Sequence, residues 1–356
     1  MATVTLSGVT TDRGGTDVLR DLDLVATAGA VLAIVGPSGS GKTSVLRTIA
    51  GLDYPKRGSI RFGTVEVTTL PPASRDVAMV FEAAALYPHK SVGKNIAFPL
   101  EMQHEDVDEI RSRVGAEARA LHIERLLGES PKRLSTGEAH VVQVARAMVR
   151  RPAVLLLDEP FTHLDPELAA RLRREVSLLQ RGFEVTTVLA TNDPIDALSM
   201  ADRLAVIEGG RVTQTGAPLE VYAFPDTVAA ANVTGDADVL EVVVEPDRDG
   251  SWLVHPAFRL RAWQPALRRH ARRRLQMIVR PEWWELDEHG AVTVVVERSH
   301  AWGASLLLWC RAGGRPIAVK LPSPTPRPIE AGDELTLRLD RYVLIDPADG
   351  FALDLG

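Results

Sequence analysis

One cysteine, Cys310, stands among 356 residues. A single thiol closes no intrachain disulfide and assembles no zinc or iron–sulfur site, so its expected place is a buried position in a strand. Long apolar runs are missing as well: no stretch approaches the ~18 residues that a membrane span requires. The opening MATVTLSGVT has no basic segment followed by an apolar one, so it does not read as a secretory signal. Basic charge is not in excess. Lys and Arg total 41 against 47 Asp and Glu, a formal net charge of −6, which speaks against a general nucleic-acid binder. These absences point to a chain at work in the cytoplasm, one that reaches a membrane only by docking on other subunits.

What is present is enough apolar material for a full core, 45% of the residues, and a length that suggests two domains. Residues 1–232 alternate between strand-like and helix-like runs. VLAIV (31–35) and VLLLD (154–158) are nearly all apolar, which suits central parallel strands. ELAARLRREVSLLQRG (167–182) has helical periodicity and is expected to end at Gly182. The pattern implies a doubly wound α/β core with a helical subdomain at about 83–150. Residues 236–356 change character to short strands separated by polar turns, with a proline-rich SPTPRPIEAGD, and imply a small all-β, barrel-like domain. The basic run RRHARRR (268–274) reads as a solvated turn.

The chemistry concentrates in GPSGSGKT, Gly36, Pro37, Ser38, Gly39, Ser40, Gly41, Lys42 and Thr43. It matches G-x-x-x-x-G-K-[ST] in full, after an apolar strand and before a helix, the setting in which the motif cradles phosphates. Glycines let backbone N–H groups close on phosphate oxygens. Lys42 reaches the β- and γ-phosphates, Thr43 ligates Mg²⁺, and the helix N-terminus adds partial positive charge. Asp158 and Glu159 follow the apolar strand about 115 residues later. That placement fits Asp158 beside Mg²⁺ and Glu159 orienting or deprotonating an attacking water.

Four stretches carry a resemblance to the ATPase subunits of ABC transporters, in particular those of bacterial carbohydrate importers. VAMVFEAAALYPHKSVGKNIAFPL (77–100) looks like the Q-loop and the entry to the helical subdomain. RLSTGEAHVVQVARAMVRRPAVLLLDEPFTHLDPELAARLRREV (133–176) looks like signature, Walker B and D-loop. GAPLEVYAFPDTVAA (216–230) resembles the end of that family's nucleotide-binding domain. IVRPEWW, WGASLLLWC and RYVLIDPADG resemble landmarks of its OB-like carboxy-terminal regulatory domain. The resemblance implies a P-loop NTPase of ABC type that binds ATP and Mg²⁺. It implies two copies packed head to tail, as a homodimer or as a heterodimer with another ATPase subunit. Each ATP would lie between one copy's phosphate loop and the other's signature, here Ser135 and Gly137, with Asp165 in the D-loop. Two permease subunits, a solute-binding protein outside the cell and a place on the cytoplasmic face of the membrane follow from the same likeness. The cargo it implies is a sugar or sugar derivative, and residues 83–98 would pass the nucleotide state to the permeases.

Departures from the family pattern are concentrated at the site. Glu82 stands for the Q-loop glutamine, where it is expected to bind Mg²⁺ while repelling the γ-phosphate. Thr136 and Glu138 alter the signature, Glu138 adding a negative charge. Asp12 and Arg13 occupy the place of an adenine-stacking aromatic. Asn192 stands for the switch histidine; it still donates a hydrogen bond to a γ-phosphate oxygen but cannot take a proton or a positive charge. His163 and His140 sit in or near expected interface segments and read as surface or packing residues. The rival reading is a structural or regulatory subunit that binds ATP with little turnover. A soluble ABC protein acting on nucleic acid is disfavoured by the single cassette. Lys42→Ala is expected to remove the phosphate contacts and weaken ATP binding, measured by titration calorimetry; equal affinity in both proteins would overturn the nucleotide-site assignment.

Overall fold

The computed structural model describes residues 1–354 apart from 163 and 326, so His163 lies outside the described residues. The chain divides into two compact units, Met1–Val221 and Tyr222–Gly356. In chain order the first contains β1 (Val4–Arg13), β2 (Thr16–Ala26), β3 (Val31–Val35), α1 (Lys42–Ala50), β4 (Arg57–Phe62), β5 (Val65–Glu66) and β6 (Val77–Val80). There follow α2 (Val92–Met102), α3 (Val107–Ala120), α4 (Thr136–Met148), β7 (Val154–Asp158), α5 (Pro166–Phe183), β8 (Thr186–Ala190), α6 (Pro194–Met200), β9 (Arg203–Glu208) and β10 (Arg211–Gly216).

Two sheets result. An antiparallel one has the order β2-β1-β4-β5, and a six-stranded one has the order β10-β9-β3-β8-β7-β6. From β9 to β6 the second sheet is parallel, and only β10 runs against its neighbour. Every residue of β3, β7 and β8 is buried, as strands covered on both faces must be. Leu32, Ile34, Leu156 and Val188 share one apolar cluster with Val45, Leu46 and Ile49 of α1, which fixes that helix over the sheet. The C-terminus of α1 is closed by a buried arginine: Arg75 donates to the carbonyls of Thr48 (2.8 Å) and Ile49 (2.7 Å).

Helices α2, α3 and α4 form the helical part between β6 and β7. Buried Asn95 of α2 shapes the loop before it, accepting from Tyr87 N and donating to the carbonyls of Tyr87, Lys90 and Ser91. Helix α5 does not end at Gly182. It continues to Phe183 and closes at Glu184, which takes a left-handed backbone (φ 52°) and donates its N–H to Arg181 O. A lone glycine only weakens a helix; the stop is set where the chain turns back toward β8.

The second unit opens with a short helix and continues as two five-stranded antiparallel sheets around one apolar core in which Cys310 is buried. The division precedes the helix Val228–Thr234 and so falls earlier than the composition change near residue 236. The reason is Arg280, which is fully buried. Its Nη1 donates to the carbonyls of Ala231 (2.8 Å), Gly235 (2.9 Å) and Asp236 (3.1 Å), and its Nη2 to Tyr222 O (3.1 Å) and Thr234 Oγ1 (2.8 Å). Ala231 adds an apolar contact with Ile278 and Ile345. Replacing Arg280 by Met removes five hydrogen bonds, two of them fully buried. We expect it to destabilise the second unit by roughly 3 kcal/mol or more, seen in scanning calorimetry as a transition lowered by roughly 10 °C; an unshifted transition would remove Arg280 from this role.

Candidate active site

β8 lies between β3 and β7 in parallel register, so the turns leaving all three strands open on one edge. Ligands of open α/β sheets bind at that carboxyl edge. The turn after β3 is the glycine loop. Gly41, the N-cap of α1, has φ 111°, a backbone that side chains with a Cβ rarely adopt. At Gly36 a Cβ would stand 2.1 Å from Ile207 O, so the loop hugs the sheet. The Lys42 ammonium donates to Gly36 O (2.8 Å) and Pro37 O (3.2 Å). Thr43 Oγ1 donates to Asp158 Oδ1 (3.0 Å), tying the start of α1 to the end of β7.

A cleft of about 980 Å³ opens here, lined among others by Ser38, Lys42, Thr43, Glu82, Glu159 and Asn192. Gly39 lines it too, as does Arg13, which lies 3.9 Å from Asp53. Ser40 is buried beneath the loop.

Glu159 is the most constrained residue of the group. Its φ is +47°, strained for a residue with a Cβ, and its N–H donates to Ala190 O of β8 (2.9 Å). The carboxylate is gripped by Asn192: the carboxamide Nδ2 donates to Oε1 (2.6 Å) and the backbone N–H to Oε2 (3.2 Å), while Thr162 Oγ1 donates to Oε2 (3.1 Å). Burial pushes the Glu159 carboxyl above the ordinary carboxylate range, opposed by these hydrogen bonds and by the charge of Lys42. Burial raises Asp158 likewise; the Thr43 hydroxyl opposes the shift, and the nearby Glu82 carboxylate adds to it. Lys42 is lowered by burial, against the attraction of Glu159 and Asp158.

Asp158 and Glu159 thus act on one lysine, and Glu82 adds its charge at Asp158, a gathering of acids that suits a divalent cation. Among the described residues no three His, Cys, Asp or Glu side chains form a ready-made cage. Mg²⁺ does not require one, since it keeps waters and phosphate oxygens and takes one or two protein groups. The residues fit the ion, with Thr43, Asp158 and Glu82 as those that would hold it.

Ser135, Gly137 and Asp165 do not line this cleft. Ser135 caps α4: its Oγ accepts from Glu138 N (3.2 Å), and Glu138 Oε2 accepts from Ser135 N (3.0 Å), a reciprocal capping box. The Glu138 charge is answered within the chain, because Arg125 Nη2 donates to Oε1 (2.6 Å). The Ser135 N–H and then Arg125 hold this carboxyl below its usual range. A Cβ on Gly137 would meet Leu168 Cδ2 at 2.4 Å, so the missing side chain lets α4 approach α5. Asp165 caps α5, accepting from Leu168 N (2.9 Å).

Arg173 was not legible as a site residue. From α5 it donates to Asp193 Oδ2 (3.2 Å) and to buried Asp196, whose other oxygen accepts from Thr191 Oγ1 (2.9 Å). The turn that carries Asn192 is therefore held on both flanks. The signal was an arginine on the buried side of an amphipathic helix, and it names no partner 20 residues away.

A phosphate loop at the head of a parallel sheet, an acid pair at the end of a second strand of that sheet and a helical section between them in sequence define an ATP-binding cassette. The ABC transporter family model matches residues 19–162, and the TOBE domain model matches residues 277–345. The sn-glycerol-3-phosphate import ATP-binding protein of Cupriavidus metallidurans is 37% identical, over 95% of this chain and 94% of that one. Its counterpart in Ruegeria pomeroyi is 36% identical, over 98% of this chain and 99% of that one. An ATP-binding cassette solved as a dimer in a post-hydrolysis state with ADP and phosphate is similar at TM-score 0.56 and 25% identity, covering 60% of this chain and 98% of that one. An ABC transporter component from Clostridium perfringens gives TM-score 0.58 at 27% identity, covering 62% and 90%. The chain belongs to the ABC transporter family, in its branch of import ATP-binding proteins. Its activity is that of an ABC-type ATPase, with ATP and Mg²⁺.

Asn192→Ala removes one charge-assisted donor from Glu159. We expect turnover to fall about tenfold, with ATP affinity changed less than about twofold, read from phosphate release and calorimetry. Unchanged turnover would show that the carboxamide grip on Glu159 does not bear on hydrolysis.

Proposed function

We propose that this protein energises an importer for a small polar solute, a sugar, sugar derivative or phosphate ester, from the cytoplasmic face of the membrane. Two copies, or one copy and a second ATPase subunit, pair head to tail beneath two permease subunits, and an extracytoplasmic solute-binding protein delivers the cargo. The observation that carries this reading is end-to-end similarity to import ATP-binding proteins across both units. No helix among the described residues is long and apolar enough to cross a membrane, which agrees with attachment through other subunits.

In this reading Glu159 polarises the attacking water, and the hydrogen bonds from Asn192, one to each oxygen, fix the orientation of the carboxylate that does so. Lys42 leaves the carbonyls of Gly36 and Pro37 to meet the β- and γ-phosphates. Asn192 has a second carboxamide N–H for the γ-phosphate, and Ser135 approaches the γ-phosphate held by the opposite copy, with Gly137 beside it and Asp165 across the joint. The remaining loop residues, Gly36 to Gly41, enclose the phosphates with backbone N–H groups. Thr43, Asp158 and Glu82 would hold Mg²⁺, which would supply neutralisation of the phosphate charge. A carboxamide cannot carry the charge of an imidazolium, so turnover by the isolated protein is slow. The beta unit serves regulation or subunit contact.

Uptake is the test. Deleting the gene in its host should abolish accumulation of one labelled solute in a panel of glycerol 3-phosphate, monosaccharides and disaccharides. The wild-type gene should restore it and the Lys42→Ala gene should not. Undiminished uptake across the panel would sink the importer assignment.

A further inference from the structure

His140 is almost fully buried, at 2% exposure, yet it does not bond only within its own helix. Its Nδ1 lies 3.0 Å from Thr136 O, in the first turn of α4, and its Nε2 lies 2.6 Å from Glu82 O, 58 residues away in sequence; a neutral ring donates through one nitrogen, and the shorter contact assigns that N–H to Nε2, toward Glu82 O. The Glu82 side chain lines the nucleotide cleft, and Ser135 caps the helix whose first turn the ring engages. One imidazole therefore spans the joint between a residue of the cleft and the head of the signature helix. Beside the ring a groove of about 450 Å³ opens to the surface, lined by Glu82, Ser135 and His140 among others.

We propose that His140 is a positioning residue: it holds the Glu82 backbone against the first turn of α4, so that Glu82 and Ser135 move as one body. The inference rests on the functional reading above, in which Glu82 faces the nucleotide of its own copy and Ser135 that of the opposite copy. The ring then couples the two sites of the pair. When nucleotide and metal draw Glu82 inward, the pull on its peptide carbonyl passes through the ring to the helix that bears Ser135, and one site reports its filling to the other. Neither end of this link is a contact with substrate, so its loss acts on cooperation and turnover before it acts on binding.

His140→Leu keeps apolar bulk and removes both polar contacts. His140→Gln replaces the ring by one carboxamide whose NH₂ group offers two N–H donors to the two carbonyls. ATP affinity, turnover and the Hill coefficient of hydrolysis are measured for the wild type and both variants, with thermal melting to verify folding. Leu should lower turnover about tenfold, leave ATP affinity within about twofold, and bring the Hill coefficient to about one, whereas Gln should recover at least half of the wild-type rate. Turnover and cooperativity in Leu equal to wild type would overturn the proposal while leaving the ATPase reading intact. A Gln variant as slow as Leu would overturn it too, since the polar link would then not be what matters. A wild type that binds ATP without pairing or hydrolysing would overturn the functional reading and the coupling with it.

Discussion

The site depends on one constraint, the insertion of β8 between β3 and β7 in parallel register. The three strands are buried along their whole length, so their pairing is enforced by the removal of apolar side chains from water rather than by anything in the turns. Once that pairing is made, the glycine loop, the acid pair and the turn with Asn192 have nowhere else to be. The hydrogen bonds between them, Thr43 to Asp158 and Asn192 to Glu159, cross from one strand end to the next. They refine positions that the sheet has already selected. The positive φ of Glu159 is tolerated for the same reason, because its N–H is anchored to Ala190 on the adjacent strand.

Charge is handled locally and in two different ways. In the cleft acids are gathered: Asp158 and Glu159 act on Lys42, Glu82 acts on Asp158, and burial raises the proton affinity of Asp158 and Glu159. At the signature charge is compensated within the chain, where Glu138 closes a capping box and is paired with Arg125. The same replacement of a neutral amide by a carboxylate thus has opposite consequences at positions 82 and 138. In one place the acid adds to a field that attracts a cation; in the other it becomes part of a helix cap.

Much of this was legible in the chain because the information is local. GPSGSGKT carries its own turn, helix start and charge, and VLLLDEP carries its own strand and acid pair. The expectation that Asn192 sits at the nucleotide came from resemblance, and Asn192 lines the cleft beside the glycine loop; that its carboxamide would close on Glu159 depends on a strand order no linear pattern contains. His140 read as a surface or packing histidine; it is buried, and its second partner is a backbone carbonyl, which leaves no trace in side-chain identity. The stop of α5 was misread at Gly182 because glycine is only permissive, and the left-handed turn was taken by Glu184 instead. Nothing in the linear pattern singles out Arg75, Arg173 or Arg280. Each donates to carbonyls or acids brought from elsewhere by the fold.

Arg280 also bears on descent. The stretch 222–236 belongs by its hydrogen bonds to the β unit, although its composition continues that of the cassette. A recombination event that joined a foreign β module at the composition change would strand this arginine without the Tyr222, Ala231, Thr234 and Gly235 oxygens and would leave Ala231 without Ile278 and Ile345. A crossover at Val221 carries arginine, helix and acceptors together. The heritable module is therefore longer than the β-strands that define it, and the gene's natural seam lies upstream of the place where its sequence changes character.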